Sequence, residues 1–264
     1  MTEFATSSDG TRIAYEVSGS GPALILVDGA LCYRDFGPAR SLAAALEGRY
    51  TVYIYDRRGR GESGDTSPYA VAREIEDLAA LIDAAGGDAY VFGQSSGGAL
   101  ALAAAAAGVP IRKLGAYESP FVGLRPGKSG EPRDYLAELD ALLAAGDRGG
   151  VVGYFMVTMV GAPWFVPTMM KLNRKVWAQL QSVAHTVPND ARVLRGDFEV
   201  PVEEFATITT PSLIMAGSKG APAMLAAQET IARAIPGAEH VVLQGQSHQV
   251  SDTALAPELS RFFS

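Results

Sequence analysis

The 264-residue chain predicts an α/β fold: an open, mostly parallel central sheet with helices on both faces and a helical insertion. Three observations carry that expectation. Short apolar runs alternate with helical segments through the first 120 residues. Between about 121 and 204 the alternation stops, and the chain becomes helical and aromatic. From about 205 to the end the alternation resumes.

Taken in order, Arg12–Val17 alternates in polarity and suits an antiparallel hairpin at the sheet edge. Ala23–Val27, Val52–Tyr55, Tyr90–Phe92 and Leu114–Tyr117 are unbroken apolar runs, as parallel strands covered on both faces require. A helix is expected from an N-cap at Ser67, with Pro68 at its first position. Val71, Ile75, Leu78 and Ile82 form its buried stripe, and Gly86-Gly87 ends it. A helix of small residues follows over Gly97–Ala107, stopped by Gly108 with Pro110 beyond. In the insertion, Tyr135–Leu143, Val151–Val160 and Leu172–Val183 read as helices. Joints rich in Pro, Gly and Arg separate them at 126–133, 146–150 and 161–167. The strand Leu213–Ala216, a helix over Ala221–Ile235, the strand His240–Leu243 and a helix to Phe263 complete the pattern. The expected division is a core of residues 1–120 and 205–264, with 121–204 as a cap over the carboxyl ends of the strands. Open α/β sheets carry their sites at those ends.

Composition narrows the function. Hydrophobic content of 48% and charged content of 19% suit a globular chain with a sizeable core. A net charge of −7 argues against nucleic acid or an anionic membrane as partner. No uninterrupted apolar stretch reaches membrane length, and Met1–Arg12 is too polar for a secretory signal. The single cysteine, Cys32, excludes an internal disulfide and fits a cytoplasmic setting. The 3 histidines are too scattered for metal-ligand spacing, so neither metal nor cofactor is expected. Oligomeric state is left open.

Residues 93–97 read Gly-Gln-Ser-Ser-Gly between an apolar strand and a helix of small residues. This is the context in which a G-x-S-x-G turn presents a nucleophilic serine, here Ser95. The alternative is a glycine-rich turn with incidental serines. A serine hydroxyl needs a base, because alone it is a weak nucleophile. Among His185, His240 and His248, only His248 follows a strand in a loop near the C-terminus, in the order nucleophile, acid, histidine. The acid is harder to find. The loop after Leu213–Ala216 reads Gly217-Ser218-Lys219-Gly220-Ala221-Pro222, and no Asp or Glu occurs between Glu204 and Glu229. Glu118, at the end of the strand after the nucleophile strand, is the acid best placed to serve. An oxyanion needs two donors: the Ser96 N–H, and the N–H of Gly29 or Ala30 in the loop after Ala23–Val27. Asp28 in that loop would oppose an oxyanion if aimed at it, so it is expected to point away and brace the loop. Cys32 reads as a small buried hydrophobe.

Asp56–Ser63 tempts a phosphate-cradle reading but lacks Gly-Lys-Ser/Thr, so it reads as structural. Trp164, Trp177, Tyr154, Phe155 and the methionines 156, 159, 169 and 170 are either cap packing or an adaptable lid over an apolar substrate. Trp164 between Pro163 and Pro167, Trp177 and Ala30 are the expected substrate contacts.

The chain resembles the α/β-hydrolase superfamily in Asp56–Ser63, in the elbow 93–97 and in the Gly-x-x-His ending at His248. Val27-Asp28-Gly29, Ser95-Ser96-Gly97 and Glu118-Ser119-Pro120 are similar to zearalenone-type lactonases. That resemblance implies a triad of Ser95, Glu118 and His248, with Gly29 and Ser96 as oxyanion donors and a cap tryptophan matched by Trp177 or Trp164. Outside these motifs there is little local similarity, and the cap differs. The expected function is hydrolysis of an apolar ester or lactone through an acyl-enzyme. Two other readings stand beside it. One is different chemistry on the same fold, namely C–C hydrolysis, perhydrolysis or natural-product cyclisation; the other is a non-catalytic small-molecule binder.

Overall fold

The computed structural model describes residues 1–127 and 130–264, so residues 128 and 129 of the expected joint at 126–133 lie outside the description. Eight strands form one sheet: β1 (Glu3–Thr6), β2 (Arg12–Gly19), β3 (Ala23–Val27), β4 (Thr51–Tyr55), β5 (Ala89–Gln94), β6 (Ile111–Tyr117), β7 (Ser212–Gly217) and β8 (Glu239–Leu243). Their spatial order is β1-β2-β4-β3-β5-β6-β7-β8. β2 runs antiparallel to β1 and β4, and every other pairing is parallel.

The helices are α1 (Ala39–Leu46), α2 (Val71–Ala84), α3 (Ser96–Ala106), α4 (Tyr135–Ala144), α5 (Arg148–Tyr154), α6 (Val166–Met170), α7 (Arg174–Val183), α8 (Val187–Val193), α9 (Val202–Phe205), α10 (Pro222–Ala234) and α11 (Asp252–Phe262). Strand residues alternate between the two faces of a sheet, so the apolar runs feed two cores. Ile25, Val91, Leu114 and Ile214 pack on one face with Leu78 and Leu100. Leu24, Phe92, Leu213 and Met215 pack on the other with Leu42, Leu46 and Leu259. Helix α3 is buried nearly all round because its side chains are small enough to sit between sheet and neighbouring helices.

Several expectations need correction. Helix α2 starts at Val71 from an extended Ala70, and Ser67 and Pro68 lie ahead of it. The Tyr69 hydroxyl donates to Glu74 at 2.7 Å, so the first turn is anchored by Glu74 and not by a Ser67 cap. The expected helix 151–160 is two pieces: α5 ends at Tyr154, and Phe155–Val160 is a wider π turn. Asn173 caps α7 through the Val176 N–H, which starts that helix two residues later than the apolar pattern does. Edge strand β1 and helices α6, α8 and α9 are too short for periodicity to register. Of these, α8 matters most, because it packs on α4 of the insertion and also on α2 and α3. No helix among the described residues is long and apolar enough to cross a membrane.

Candidate active site

Strands β3, β5, β6 and β7 end side by side, and the site is built from the loops that leave them. After β5 the chain must reverse into α3 within one residue. Ser95 makes that turn at φ 58°, a left-handed value rare for a residue with a side chain. Such strain persists where surroundings enforce it. Here a Cβ on Gly97 would lie 2.1 Å from the Val27 carbonyl oxygen, and one on Gly93 would lie 2.4 Å from the Gly97 carbonyl oxygen. Only glycine lets strand and helix close on the serine. Gly29 is tight for the same reason, since a Cβ there would sit 2.9 Å from Ser95 Cβ and 3.4 Å from Ser95 Oγ. The loop after β3 therefore lies directly against the serine.

Glu118 follows β6 and also has a left-handed backbone, φ 45°. Its carboxylate is 1% exposed and both oxygens are engaged. Oε2 lies 2.8 Å from His248 Nδ1, and Oε1 accepts the Gly217 N–H at 2.9 Å. The loop that lacks a carboxylate thus clasps the carboxylate of the neighbouring strand. His248 is held from behind as well: the Gln94 side-chain amide donates to its carbonyl at 2.9 Å, and the Tyr117 hydroxyl donates to the Ser247 carbonyl at 2.6 Å. With Nδ1–H committed to Glu118, Nε2 is the free acceptor. Among the described residues no hydrogen bond joins Ser95 Oγ to the imidazole, and the His248 side chain is 45% exposed. Catalytic contacts of this kind are commonly long before substrate binds.

Asp28 is buried against Gly37 and the Ala39 amide, and its Oδ2 has no hydrogen-bond partner among the described residues. Burial pushes its carboxyl up to about 7, against the pull of Arg60 and Arg57. Cys32 stays a thiol, because burial and the nearby Asp28 push it up to about 12.

The arginines of the Asp56–Ser63 turn are more than a tight corner. Arg57, Arg58 and Arg60 are each about 1% exposed. Arg57 forks onto Glu74 at 2.7 and 2.8 Å and reaches Asp190 at 2.6 Å. Arg60 donates to Asp190 at 2.7 Å, to Thr186 at 3.0 Å and to the Gly29 carbonyl at 2.6 Å. Arg58 forks onto Asp77 on α2. Asp190 also accepts the Ser96 hydroxyl at 2.7 Å. Burial alone would raise the Asp190 carboxyl, but Arg60 and Arg57 hold it below its usual range.

The expected cap contacts separate. Trp164 is 77% exposed with its ring edge-on to Phe165. Trp177 is half-buried against Gly149, with the Lys171 ammonium 5.2 Å above its ring. Ala30 is half-buried in the loop beside Ser95. A cleft of about 190 Å³ lies behind α3, lined by Val71, Ile75, Ala99, Ala103, Phe121 and Phe205; none of Ser95, Glu118 and His248 touches it. Among the described residues no cluster of His, Cys, Asp or Glu could hold a metal ion. Sequence reasoning missed Asp190 altogether, since nothing local distinguishes it from a surface carboxylate.

The model of the alpha/beta hydrolase family matches residues 17–257. A pimeloyl-(acyl-carrier protein) methyl ester esterase of Xanthomonas campestris is 28% identical over 238 residues, covering 88% of this chain and 90% of its own. Among solved structures, an alpha/beta hydrolase from Sphaerobacter thermophilus superposes with a TM-score of 0.90 at 46% identity, over 99% of this chain and all of that one. An enol-lactonase from Burkholderia xenovorans, at 19% identity and a TM-score of 0.65 over 98% of this chain and 96% of that one, shares the fold.

Proposed function

The chain belongs to the alpha/beta hydrolase family, and from that premise we propose that it is a serine hydrolase cleaving carboxylic esters or lactones at Ser95. The observation that carries the reading is the buried Glu118 carboxylate 2.8 Å from His248 Nδ1, beside a serine in a left-handed elbow. Glu118 fixes the imidazole tautomer and stabilises the imidazolium that forms. His248 Nε2 takes the Ser95 proton as the serine attacks the carbonyl carbon. The oxyanion rests on Ser96 N–H and on an amide of the Gly29–Ala30 loop. His248 then protonates the leaving alcohol. Water, deprotonated by the same imidazole, attacks the acyl-enzyme and frees Ser95.

The esterase relative supports ester chemistry. The macrolactone reading rests on the Asp28-Gly29, Ser95-Ser96-Gly97 and Glu118-Ser119-Pro120 motifs similar to zearalenone-type lactonases. An apolar substrate is consistent with the methionines and aromatics of 154–177, with Trp164, Trp177 and Ala30 as the residues to probe. The test is the intact mass after exposure to a fluorophosphonate, with Ser95→Ala alongside. One adduct that disappears in the variant supports an activated Ser95 and leads to a screen of esters and macrolactones, zearalenone first. No adduct on a folded protein would overturn the reading.

A further inference from the structure

We propose that Asp190, contributed by α8 of the insertion, is a positioning residue for the oxyanion hole: it locks Ser96 and the two arginines that orient the Asp28 and Gly29 carbonyls. The inference rests on the serine-hydrolase reading above and deepens it.

Both oxyanion-bearing segments are tied to one buried cluster of charges. In a trans peptide the C=O and N–H point in opposite directions. The Gly29 carbonyl is drawn to Arg60 at 2.6 Å, which turns the Ala30 N–H the other way. The Asp28 carbonyl leans on Arg57 at 3.4 Å, which does the same for the Gly29 N–H. Neither amide donates to a backbone carbonyl among the described residues. On the other wall, Ser96 Oγ donates to Asp190 at 2.7 Å and lies 3.5 Å from Arg57, so the first residue of α3 is tied to the same centre.

Asp190 joins the two walls. One carboxylate oxygen meets both Arg57 and Ser96, and the other meets Arg60. Glu74 occupies the remaining face of Arg57. Two guanidiniums and two carboxylates, all at most 2% exposed, balance each other. Removing Asp190 leaves two cations sharing one anion, and the arginines must shift toward other acceptors. Asp28, whose Oδ2 has no partner among the described residues and whose charge both arginines feel, is an acceptor at hand. That shift leaves the Gly29 carbonyl with only the long 3.4 Å bond from the Cys32 N–H and loosens its peptide. The insertion therefore helps set the geometry of the chemistry through a side chain that itself touches no substrate.

Hydrolysis of p-nitrophenyl butyrate and of its thionoester analogue tests this. Sulfur is larger and a weaker acceptor than oxygen, so an intact hole favours the oxygen ester, and damage to the hole shrinks that preference. Loss of one hole donor typically costs about 10²–10³ in kcat, so Asp190→Asn should lower kcat for the ester by about 10²-fold with KM within about threefold. The ester-to-thionoester ratio should fall by about tenfold or more, whereas a loss of general stability lowers both rates together. Ser96→Ala keeps the amide and removes only the hydroxyl held by Asp190; a smaller fall in the same ratio is expected, and this variant decides the matter if Asp190→Asn does not fold. An unchanged ratio in a folded variant overturns the proposal alone. No turnover and no fluorophosphonate adduct in the wild-type protein removes the hydrolase reading beneath it.

Discussion

Replacing Asp28 with asparagine should stabilise the protein at alkaline pH and do little at acid pH. Asp28 is buried, its Oδ2 is unpartnered, and the nearby arginines are taken up by Glu74 and Asp190. Its folded carboxyl titrates at about 7, against 3.8 for the free side chain. Between these values the folded state holds a proton that the unfolded state has released. Unfolding stability therefore falls as pH rises through that window and levels off above the folded value. A gap of about 3 units at about 1.4 kcal/mol per unit corresponds to about 4 kcal/mol, of which about 3 kcal/mol is lost between pH 5 and 8. Asparagine resembles the neutral carboxyl in shape and does not titrate. Urea unfolding of both proteins at half-unit steps from pH 5 to 9 should show the variant gaining on wild type by about 3 kcal/mol. Curves that stay parallel across the range would refute the reasoning, because Asp28 would then be ionised throughout.

Other substitutions probe other parts of the site. Glu118→Gln leaves His248 without its anionic partner and should cut kcat by about 10⁴-fold with the fold retained, read by steady-state kinetics and thermal melting. Tyr117→Phe removes the hydroxyl that holds the Ser247 carbonyl; a stability loss of about 1 kcal/mol and a lower kcat should follow, read by urea unfolding and the same assay. Gly97→Ala forces a methyl group into the Val27 carbonyl and should cost about 3 kcal/mol or more; normal soluble yield and melting temperature would contradict that clash. Trp164→Ser, at a side chain 77% exposed, should change unfolding stability by no more than about 0.5 kcal/mol, so a changed KM for apolar esters would report a substrate contact.

The parts of this molecule legible in the sequence are those set by local pattern. The apolar run Ala23–Val27 is β3 residue for residue, and the glycine-rich turn after β5 does place Ser95 in a strained elbow. Glu118 was reachable by elimination, because 24 consecutive residues around the β7 loop carry no acid. What stayed hidden depends on distant partners. Asp56–Ser63 reads only as structural, yet Arg57, Arg58 and Arg60 within it are each buried with carboxylates that come from other elements. The start of α2 was misplaced because Tyr69 and Glu74 bind each other through side chains, a contact that propensity does not encode. Helix α8 was missed because 7 residues give too little periodicity, although its Asp190 lies at the centre of the buried cluster.

That cluster also has a bearing on how the chain is made. Asp190 lies 133 residues after Arg57 and 130 after Arg60. A nascent chain that has emerged as far as β6 already has its elbow, but it lacks Asp190, the carboxylate that meets both central guanidiniums. Closing a dry interior around them is costlier in such a fragment, since a buried cation without its partner is unfavourable. The full set of partners is present only once α8 has been made, and the last two strands and His248 follow it. The Gly29 loop and the start of α3 thus gain their last buried partner only when α8 has been made, ahead of the segment that carries His248.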